Sequence, residues 1–309
     1  MNARKFLLSA IAILLICTAS LFCFAACNKN SPPSPSQGLI YELTDFGDEY
    51  ILTGFGTCTD ENVVIAPECE GLPVTAIAKE VFNGITTIKS AIIPDSIATI
   101  GDDAFHDCTA LERVSMGGGV TSIGNRAFEN CTNLKSITVP DRVSHIGEAA
   151  FFGCTSLSTA SLGYRVSYVG DYAFEGCSSL KSIVIPDRVS RIGIRTFVDC
   201  TSLESVTLGG RVESVGDWAF YNCTGLKSIT LPASLNYVGY FSFEGCTNLE
   251  RVYYGGTAEQ WDGINIVSSK YYLLNAARYY YSEAYPYSDG VTEGNFWHYV
   301  NGKIAIWNK

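Results

Sequence analysis

Residues 180–202 read LKSIVIPDRVSRIGIRTFVDCTS, and this pattern returns every 23 residues through most of the chain. A phenylalanine marks each copy: Phe82, Phe105, Phe128, Phe151, Phe174, Phe197, Phe220 and Phe243. A cysteine marks most copies: Cys108, Cys131, Cys154, Cys177, Cys200, Cys223 and Cys246. Because self-similarity at a fixed period of roughly 20 to 50 residues is the signature of repeat proteins, we expect stacked coils rather than one globular core.

One copy of the repeat predicts its own local structure. Ile183 and Ile185 alternate with Ser182 and Val184 before Pro186, which is typical of a short strand. Residues 196–200 are long enough for about one helical turn. No coil has enough apolar groups to fold alone, but stacking places each Phe, Leu and Ile about 4.8 Å from its copy in the next coil. The sequence therefore predicts a solenoid.

The repeat also resembles a known family. The pattern Leu-x-x-Ile-x-Ile-Pro followed by Ile-Gly-x-x-Ala-Phe-x-x-Cys, as in residues 166–177 (VSYVGDYAFEGC), resembles the BspA-like leucine-rich-repeat family. The resemblance covers roughly residues 38–309. It implies an α/β solenoid, a right-handed superhelix of 23-residue coils with a parallel sheet on its concave side. It also implies a bacterial surface protein associated with adhesion.

The N-terminal segment is predicted to be an export signal. Arg4 and Lys5 precede an apolar run at residues 6–24, and small residues lead to Cys27. This arrangement resembles a bacterial lipoprotein signal, which implies a signal peptide at 1–26 and lipidation of Cys27. An ordinary cleaved signal and an uncleaved anchor are the alternatives. We expect an exported chain, held by lipid on the outer face of a bacterial membrane at the cell surface.

Four further segments follow the predicted signal peptide. A Pro/Ser-rich tether that buries nothing is expected first. It is followed by an N-terminal cap with a degenerate first repeat, then by the leucine-rich repeats and an aromatic-rich C-terminal cap. Their predicted ranges are 27–37, 38–77, 78–254 and 255–309.

Both caps are expected to be β-rich. Alternating residues predict a hairpin over 39–53, and the Asn-Gly pair at 301–302 predicts another over 296–307. In the N-terminal cap, Cys58 takes the cysteine position of the repeat and residues 68–73 form an inserted loop. Such segments would cover the open sheet edges of the end coils.

The 12 cysteines first suggest a disulfide framework. Side chains that project in parallel from stacked coils have poor geometry for disulfides, so we interpret the repeated cysteines as a ladder of buried free thiols. Cys69 lies off the repeat register. It is a candidate for reactivity or for pairing with Cys58.

No catalytic or metal-binding pattern emerges from the sequence. It has no nucleophile elbow, phosphate loop or zinc motif, and its three histidines fall in unrelated places. The net charge of −10, from 21 basic and 31 acidic residues, argues against nucleic acid as a partner. We therefore expect a protein that is not an enzyme, has no metal and no cofactor, and meets the membrane only through its lipid.

Residues 23 apart become neighbours in a solenoid, so exposed positions form columns. One column alternates in charge and is expected to favour the correct register between coils: Lys89, Glu112, Lys135, Ser158, Lys181, Glu204, Lys227 and Glu250. A second column alternates between proline and glycine and indicates a 46-residue double repeat: Pro94, Gly117, Pro140, Gly163, Pro186, Gly209 and Pro232.

Two columns are candidate binding surfaces. The arginine row comprises Arg142, Arg165, Arg188 and Arg211. Either Asp141 and Asp187 compensate its charge, or the row recognises carboxylates or sulfates. The second column comprises Tyr172, Arg195, Trp218 and Phe241, extended by Tyr221 and Tyr240. It is either a self-contained cation–π stack or a contact patch for a protein or sugar.

These features favour a cell-surface binding protein that acts in adhesion or protein–protein interaction with an extracellular protein. The alternative is a glycan-binding module, in which the Trp and Tyr residues of the C-terminal cap would contact the sugar.

Overall fold

The structure is a computed structural model that describes residues 33–268, 270–284, 286 and 294–307. The predicted signal peptide at 1–26 and the predicted lipidation site Cys27 lie outside the described residues. So does most of the tether. Across the described ranges, no helix is long and apolar enough to cross a membrane.

The repeats form a β-solenoid of about ten coils, as predicted, in which each coil contributes a longer and a shorter strand. Strands of neighbouring coils pair in parallel in the 23-residue register, as Ile183 with Val206 and Ile192 with Val215. The longer strands form the front sheet: β6 Ser90–Ile93, β8 Arg113–Met116, β10 Ser136–Thr138, β12 Thr159–Ser161, β14 Ser182–Val184, β16 Ser205–Thr207, β18 Ser228–Leu231 and β20 Arg251–Tyr254. The shorter strands form the side sheet: β7 Thr99–Ile100, β9 Ser122–Ile123, β11 His145–Ile146, β13 Tyr168–Val169, β15 Arg191–Ile192, β17 Ser214–Val215, β19 Tyr237–Val238 and β21 Asn265–Ile266.

The N-terminal hairpin is confirmed. Strands β1 (Ile40–Leu43) and β2 (Tyr50–Gly54) pair antiparallel, and β2 joins the side sheet through β5 (Leu72–Ile77). Strand β3 (Asn62–Val64) extends the front sheet beside β6, as a degenerate first repeat would. The expected loop at 68–73 is instead a small hairpin, in which β4 (Glu68–Cys69) pairs with the start of β5.

The described end of the tether contacts the solenoid. The prediction that this segment buries nothing is wrong at Ser36, which is buried. Its backbone N–H donates to Val64 O at 2.8 Å, and its hydroxyl accepts from Val64 N at 3.0 Å. These two bonds hold the segment against β3.

The C-terminal cap adds two short helices and three strands. Helices α1 (Ala258–Asp262) and α2 (Lys270–Asn275) precede β22 (Ala277–Tyr281), which pairs in parallel with β20. Strands β23 (Phe296–Val300) and β24 (Lys303–Ile306) form the predicted hairpin. Its Asn301 and Gly302 both have left-handed backbone, with φ of 51° and 74°, which an Asn-Gly turn favours.

Columns of identical or similar side chains fill the core between the sheets and the turns, and two of them make regular contacts. The ring centroids of neighbouring phenylalanines from Phe82 to Phe243 lie 4.7–5.6 Å apart, and the rings stack nearly parallel. Each ladder cysteine from Cys108 to Cys246 donates its thiol to the carbonyl of the phenylalanine 26 residues earlier, at 3.0–3.3 Å. The predicted thiol ladder is therefore a hydrogen-bonded column.

The third side of each coil is made of turns. Residues 196–200, expected to form about one helical turn, form consecutive tight turns instead. Alternate N–H groups donate to the next coil, as Phe151 N to Ala173 O and Gly153 N to Glu175 O, both at 2.8 Å. Because these groups bond between coils, they are not available for a helix.

The cysteines of the N-terminal cap are both buried. Cys58 N donates to Phe55 O at 3.1 Å, which reproduces the bond from Cys108 N to Phe105 O and confirms that Cys58 takes the repeat position. Cys58 forms no disulfide in the described chain, so the alternative of a bond to Cys69 is not realised.

The ladder thiols are expected to be inert in the folded chain. Burial raises the pKa of Cys108, Cys154 and Cys246 from 9.0 to about 12, so these groups stay protonated at pH 8. Since the unfolded chain ionises them near 9, their contribution to stability is present below pH 9 and is lost as the pH rises towards 12.

Alkylation at pH 8 followed by peptide mapping tests this expectation. The seven ladder cysteines should remain unmodified in the native chain and all react in denaturant. Rapid native labelling of Cys154 or Cys177, which lie mid-ladder, would contradict the buried ladder.

The alternation of proline and glycine has a steric cause. A Cβ added at Gly163 would lie 2.3 Å from Pro140 O, and one at Gly209 would lie 2.4 Å from Pro186 O. A residue with a side chain therefore cannot follow a proline coil at this position without a shift of the backbone. This explains the 46-residue double repeat.

Both sheets are interrupted at the same place. Within residues 33–268, β12 forms no strand pairing with β14, and β13 forms none with β15. Gly170 N and Gly216 N donate to the preceding coil at 2.9 Å, whereas Gly193 N makes no equivalent bond in this range. The phenylalanine column continues across this point, with Phe174 and Phe197 at 5.6 Å. The two coils thus lose their strand pairing on the sheet side, where Lys181 N still donates to Ser158 O at 3.3 Å, and this interruption is called the sheet break below.

Candidate binding surfaces

The arginine row lies at the ends of four consecutive front-sheet strands. Each arginine stands two residues after the proline or glycine of its coil, and all four are exposed. In the described part of the chain, the arginines that form ion pairs are Arg126, Arg191, Arg195 and Arg251, none of which belongs to this row. The row is therefore a band of uncompensated positive charge.

The expected compensation by Asp141 and Asp187 is not observed. The Oδ1 atom of Asp187 accepts a hydrogen bond from Gly210 N at 2.7 Å, and that of Asp141 accepts from Tyr164 N at 3.4 Å. These carboxylates therefore stabilise the turn of the next coil. Arg165 instead packs against Tyr164, with its guanidinium carbon 5.7 Å from the ring centroid.

The alternating charge column behaves as predicted. Lys135 Nζ lies 2.7 Å from Glu112 Oε2, and Lys227 Nζ lies 2.9 Å from Glu204 Oε2. These hydrogen bonds lower the pKa of both glutamates. The pairs are exposed and join adjacent coils, so they support the register, whereas Lys181 forms no ion pair among the described residues.

The aromatic column splits into two halves. Arg195 lies 5.7 Å from the centroid of Tyr172 and donates two hydrogen bonds to Glu175, at 2.9 and 2.6 Å. This half is the self-contained arrangement foreseen from the sequence. Trp218 and Phe241 stack on one another with centroids 6.0 Å apart.

Trp218 and Phe241 lie with Tyr221 and Tyr240 in an exposed group, which we call the aromatic patch. A shallow cavity of 640 Å³ beside it is also lined by Arg195, Asp199 and Glu244. The structure thus brings Trp218, Phe241 and Tyr221 together as a surface and gives Tyr172 a different role.

The C-terminal cap buries two of its three tryptophans. Trp261 and Trp297 are buried, and Trp297 Nε1 donates to Tyr254 O at 3.0 Å. They are not accessible to a sugar, which corrects the expectation that they would contact one. Tyr271 and Tyr299 are exposed. Burial, followed by the charges of Tyr281 and Asp187, raises the pKa of Tyr299.

No metal or catalytic cluster is found among the described residues. His145 stacks on Tyr168 with centroids 4.4 Å apart, and His106 Nδ1 lies 3.1 Å from Asn83 Oδ1. Each of these two rings thus contacts a side chain of the neighbouring coil.

The repeats match a known family at the level of sequence. Six copies of the BspA type leucine rich repeat region match the chain, over residues 75–200 and 167–262. The chain belongs to the BspA-type leucine-rich-repeat family. The BspA-type motif thus accounts for the coils between the two caps.

Solved leucine-rich-repeat structures resemble this BspA-type chain. A Treponema pallidum leucine rich repeat protein matches with a TM-score of 0.53 and 28% identity, over 71% of this chain and 91% of that chain. A leucine rich cell surface protein from Faecalibacterium prausnitzii matches at 0.32 and 19%, over 78% and 100%. A leucine-rich repeat protein from Eubacterium ventriosum matches with a TM-score of 0.41 and 17% identity, over 80% of this chain and 77% of that chain. No curated protein matches the chain.

Sequence reasoning missed two features of this BspA-type solenoid. Phe55 packs edge-on against Phe82 at 5.9 Å and so extends the phenylalanine column into the cap. Its signal was available, because Phe55 precedes Cys58 by three residues, as in each repeat from Phe105 to Phe243. The sheet break has a weaker signal, which is Ala160 at a strand position where the adjacent coils have Ile137 and Ile183.

Proposed function

We propose that this BspA-type chain is an exported, lipid-anchored protein of a bacterial cell surface, which binds another protein in adhesion and catalyses nothing. The export and the lipid anchor rest on residues 1–26 and Cys27. An extended and rigid repeat surface suits protein recognition.

The aromatic patch carries this proposal. Trp218 and Phe241 are 38% and 43% exposed, yet their backbones are left-handed, with φ of 54° and 53°. Bulky residues are disfavoured there, and Asn, Asp or Gly would be better tolerated. The other left-handed column does use these residues, as at Asp199 and Asn222. Solvent-facing aromatics at an unfavourable backbone position indicate a role in contact, and Trp and Tyr dominate the energetics of protein interfaces.

The packing of the rings favours a protein partner over a glycan. A sugar stacks on the open face of an aromatic ring, but Trp218 and Phe241 each turn one face towards the other. Their exposed edges suit apolar side chains of a protein. The buried tryptophans of the C-terminal cap support the same choice.

Substitution of the aromatic patch tests the proposal. We expect Trp218→Asn plus Phe241→Asn to weaken capture of a surface-protein ligand by about 30-fold, because two interface anchors are lost. Thermal stability should be retained or improved, since Asn accepts the left-handed backbone.

Affinity capture from host and bacterial surface extracts provides the measurement, with Tyr271→Asn as the matched control because Tyr271 is 69% exposed in the C-terminal cap. Undiminished protein capture by the double variant, combined with competition by soluble glycans, would support the glycan-binding alternative instead.

A further inference from the structure

The sheet break opens a cleft on the front sheet. The cleft has a volume of 880 Å³ and is lined by residues of both separated coils, among them Ala160, Leu162, Val184, Arg188 and Arg211. The turn side of these coils stays bonded, since Phe174 N donates to Thr196 O at 2.9 Å. The cleft is therefore confined to the sheet side of the two coils.

The edges of the cleft carry an unused backbone donor. Val139 N and Ile185 N, at the same place in their coils, donate to the next coil at 2.8 Å. Across the described residues, Leu162 N makes no such bond. β12 and β14 stay too close for a whole strand to enter between them, so Leu162 N is a single backbone donor that a ligand carbonyl can meet at the cleft.

The floor of the cleft carries one exposed apolar side chain among hydroxyl groups. Val184 is 64% exposed and lies beside Thr159, Ser161 and Ser182. Burial of Val184 by a ligand side chain would remove this apolar surface from water.

The acidic side chains of the cleft are already hydrogen-bonded, whereas its basic side chains are free to pair with a ligand. Asp141 and Asp187 also line it, but each already accepts a backbone hydrogen bond. Arg188 and Arg211 have no ionic partner in the described chain, and the arginine row continues beyond the cleft to Arg165 and Arg142. The excess is positive, so it complements an anionic ligand.

We infer that the cleft at the sheet break binds an extended acidic polypeptide segment. Carboxylates of the segment pair with Arg188 and Arg211, an apolar side chain covers Val184, and a backbone carbonyl accepts from Leu162 N. An anionic glycan would share the charge of such a segment but has no apolar side chain to cover Val184. This site is separate from the aromatic patch, so it can hold or fail independently of the proposed function.

A labelled peptide of alternating Glu and Val tests the cleft with the full chain, with an alternating Lys and Val peptide and heparin as further probes. Arg188→Glu plus Arg211→Glu should weaken binding of the acidic peptide by roughly tenfold or more. The control, Arg142→Glu plus Arg165→Glu, removes the same charge from the same row outside the cleft and should change binding less than about threefold.

A third variant, Val184→Ser, keeps every charge and should still weaken the acidic peptide while leaving heparin binding unchanged. Circular dichroism and melting temperature verify that each variant is folded. Absence of acidic-peptide binding, equal loss in both arginine pairs, or equal binding of the Lys peptide would each overturn the inference. Heparin binding that falls equally in both arginine pairs, without acidic-peptide binding, would identify a polyanion surface.

Discussion

Phe174→Ala is expected to destabilise the chain by about 3–5 kcal/mol and to lower the melting temperature by roughly 6–20 °C. Phe174 is fully buried and stacks between Phe151 and Phe197, at 5.3 and 5.6 Å. The substitution removes the Phe174 ring and with it both stacking contacts, and it leaves a cavity in the middle of the column. Because each coil contacts only its neighbours, we also expect the unfolding transition to broaden as the two halves lose their coupling.

Chemical and thermal denaturation followed by circular dichroism measure this effect. The matched control is Phe46→Ala, because Phe46 is 93% exposed and its loss should change stability by less than about 0.5 kcal/mol. A Phe174→Ala variant as stable as the Phe46→Ala variant would show that the phenylalanine column does not hold the coils together.

Gly170→Ala is expected to have the second largest effect, about 3 kcal/mol of lost stability from a single methyl group. A Cβ at Gly170 would lie 2.5 Å from Glu148 N and from the carbonyl carbon of Gly147. Both atoms are backbone, and Gly170 N is itself bonded to Ile146 O at 2.9 Å. The methyl group can be accommodated only if two coils move apart.

Gly118→Ala is the control for this substitution. Its added Cβ would come no closer than 3.8 Å to another atom, and its backbone is not left-handed. We expect a change within about 0.5 kcal/mol, measured by urea denaturation of both variants side by side. If the two variants unfolded at the same denaturant concentration, close packing at the repeated glycine would not be the reason for its presence.

The repeat period predicted the features that depend on copying. Residue type and spacing predicted the stacked strands, the thiol ladder and the place of Cys58, because neighbouring coils of a solenoid present the same side chain at the same position. They also predicted the two cap hairpins, from alternating residues and from the Asn-Gly pair. The charge pairs such as Lys135 with Glu112 follow for the same reason.

Features that depend on competing hydrogen bonds were not predictable in this way. Residues 196–200 could satisfy their backbone within a helical turn or between coils, and five residues do not distinguish these choices. Asp187 could pair with an arginine or accept from Gly210 N, and in the structure its carboxylate accepts from Gly210 N. Trp297 could not be assigned to core or surface until its partner, Tyr254 O, was known. The sheet break arises from small displacements that no single residue type specifies.

Because a coil with glycine must follow each coil with proline, the solenoid cannot gain or lose an arbitrary number of coils. Loss of the single coil that carries Gly163 would set Pro186 directly beside Pro140, where the 2.3 Å approach at Gly163 leaves no space for a side chain. Loss of two coils restores the alternation and also keeps Lys135 facing a glutamate of the adjoining coil. We therefore expect this solenoid to tolerate the gain or loss of two coils but not of one. The unit that can be duplicated or deleted is the pair of coils and not the 23-residue repeat.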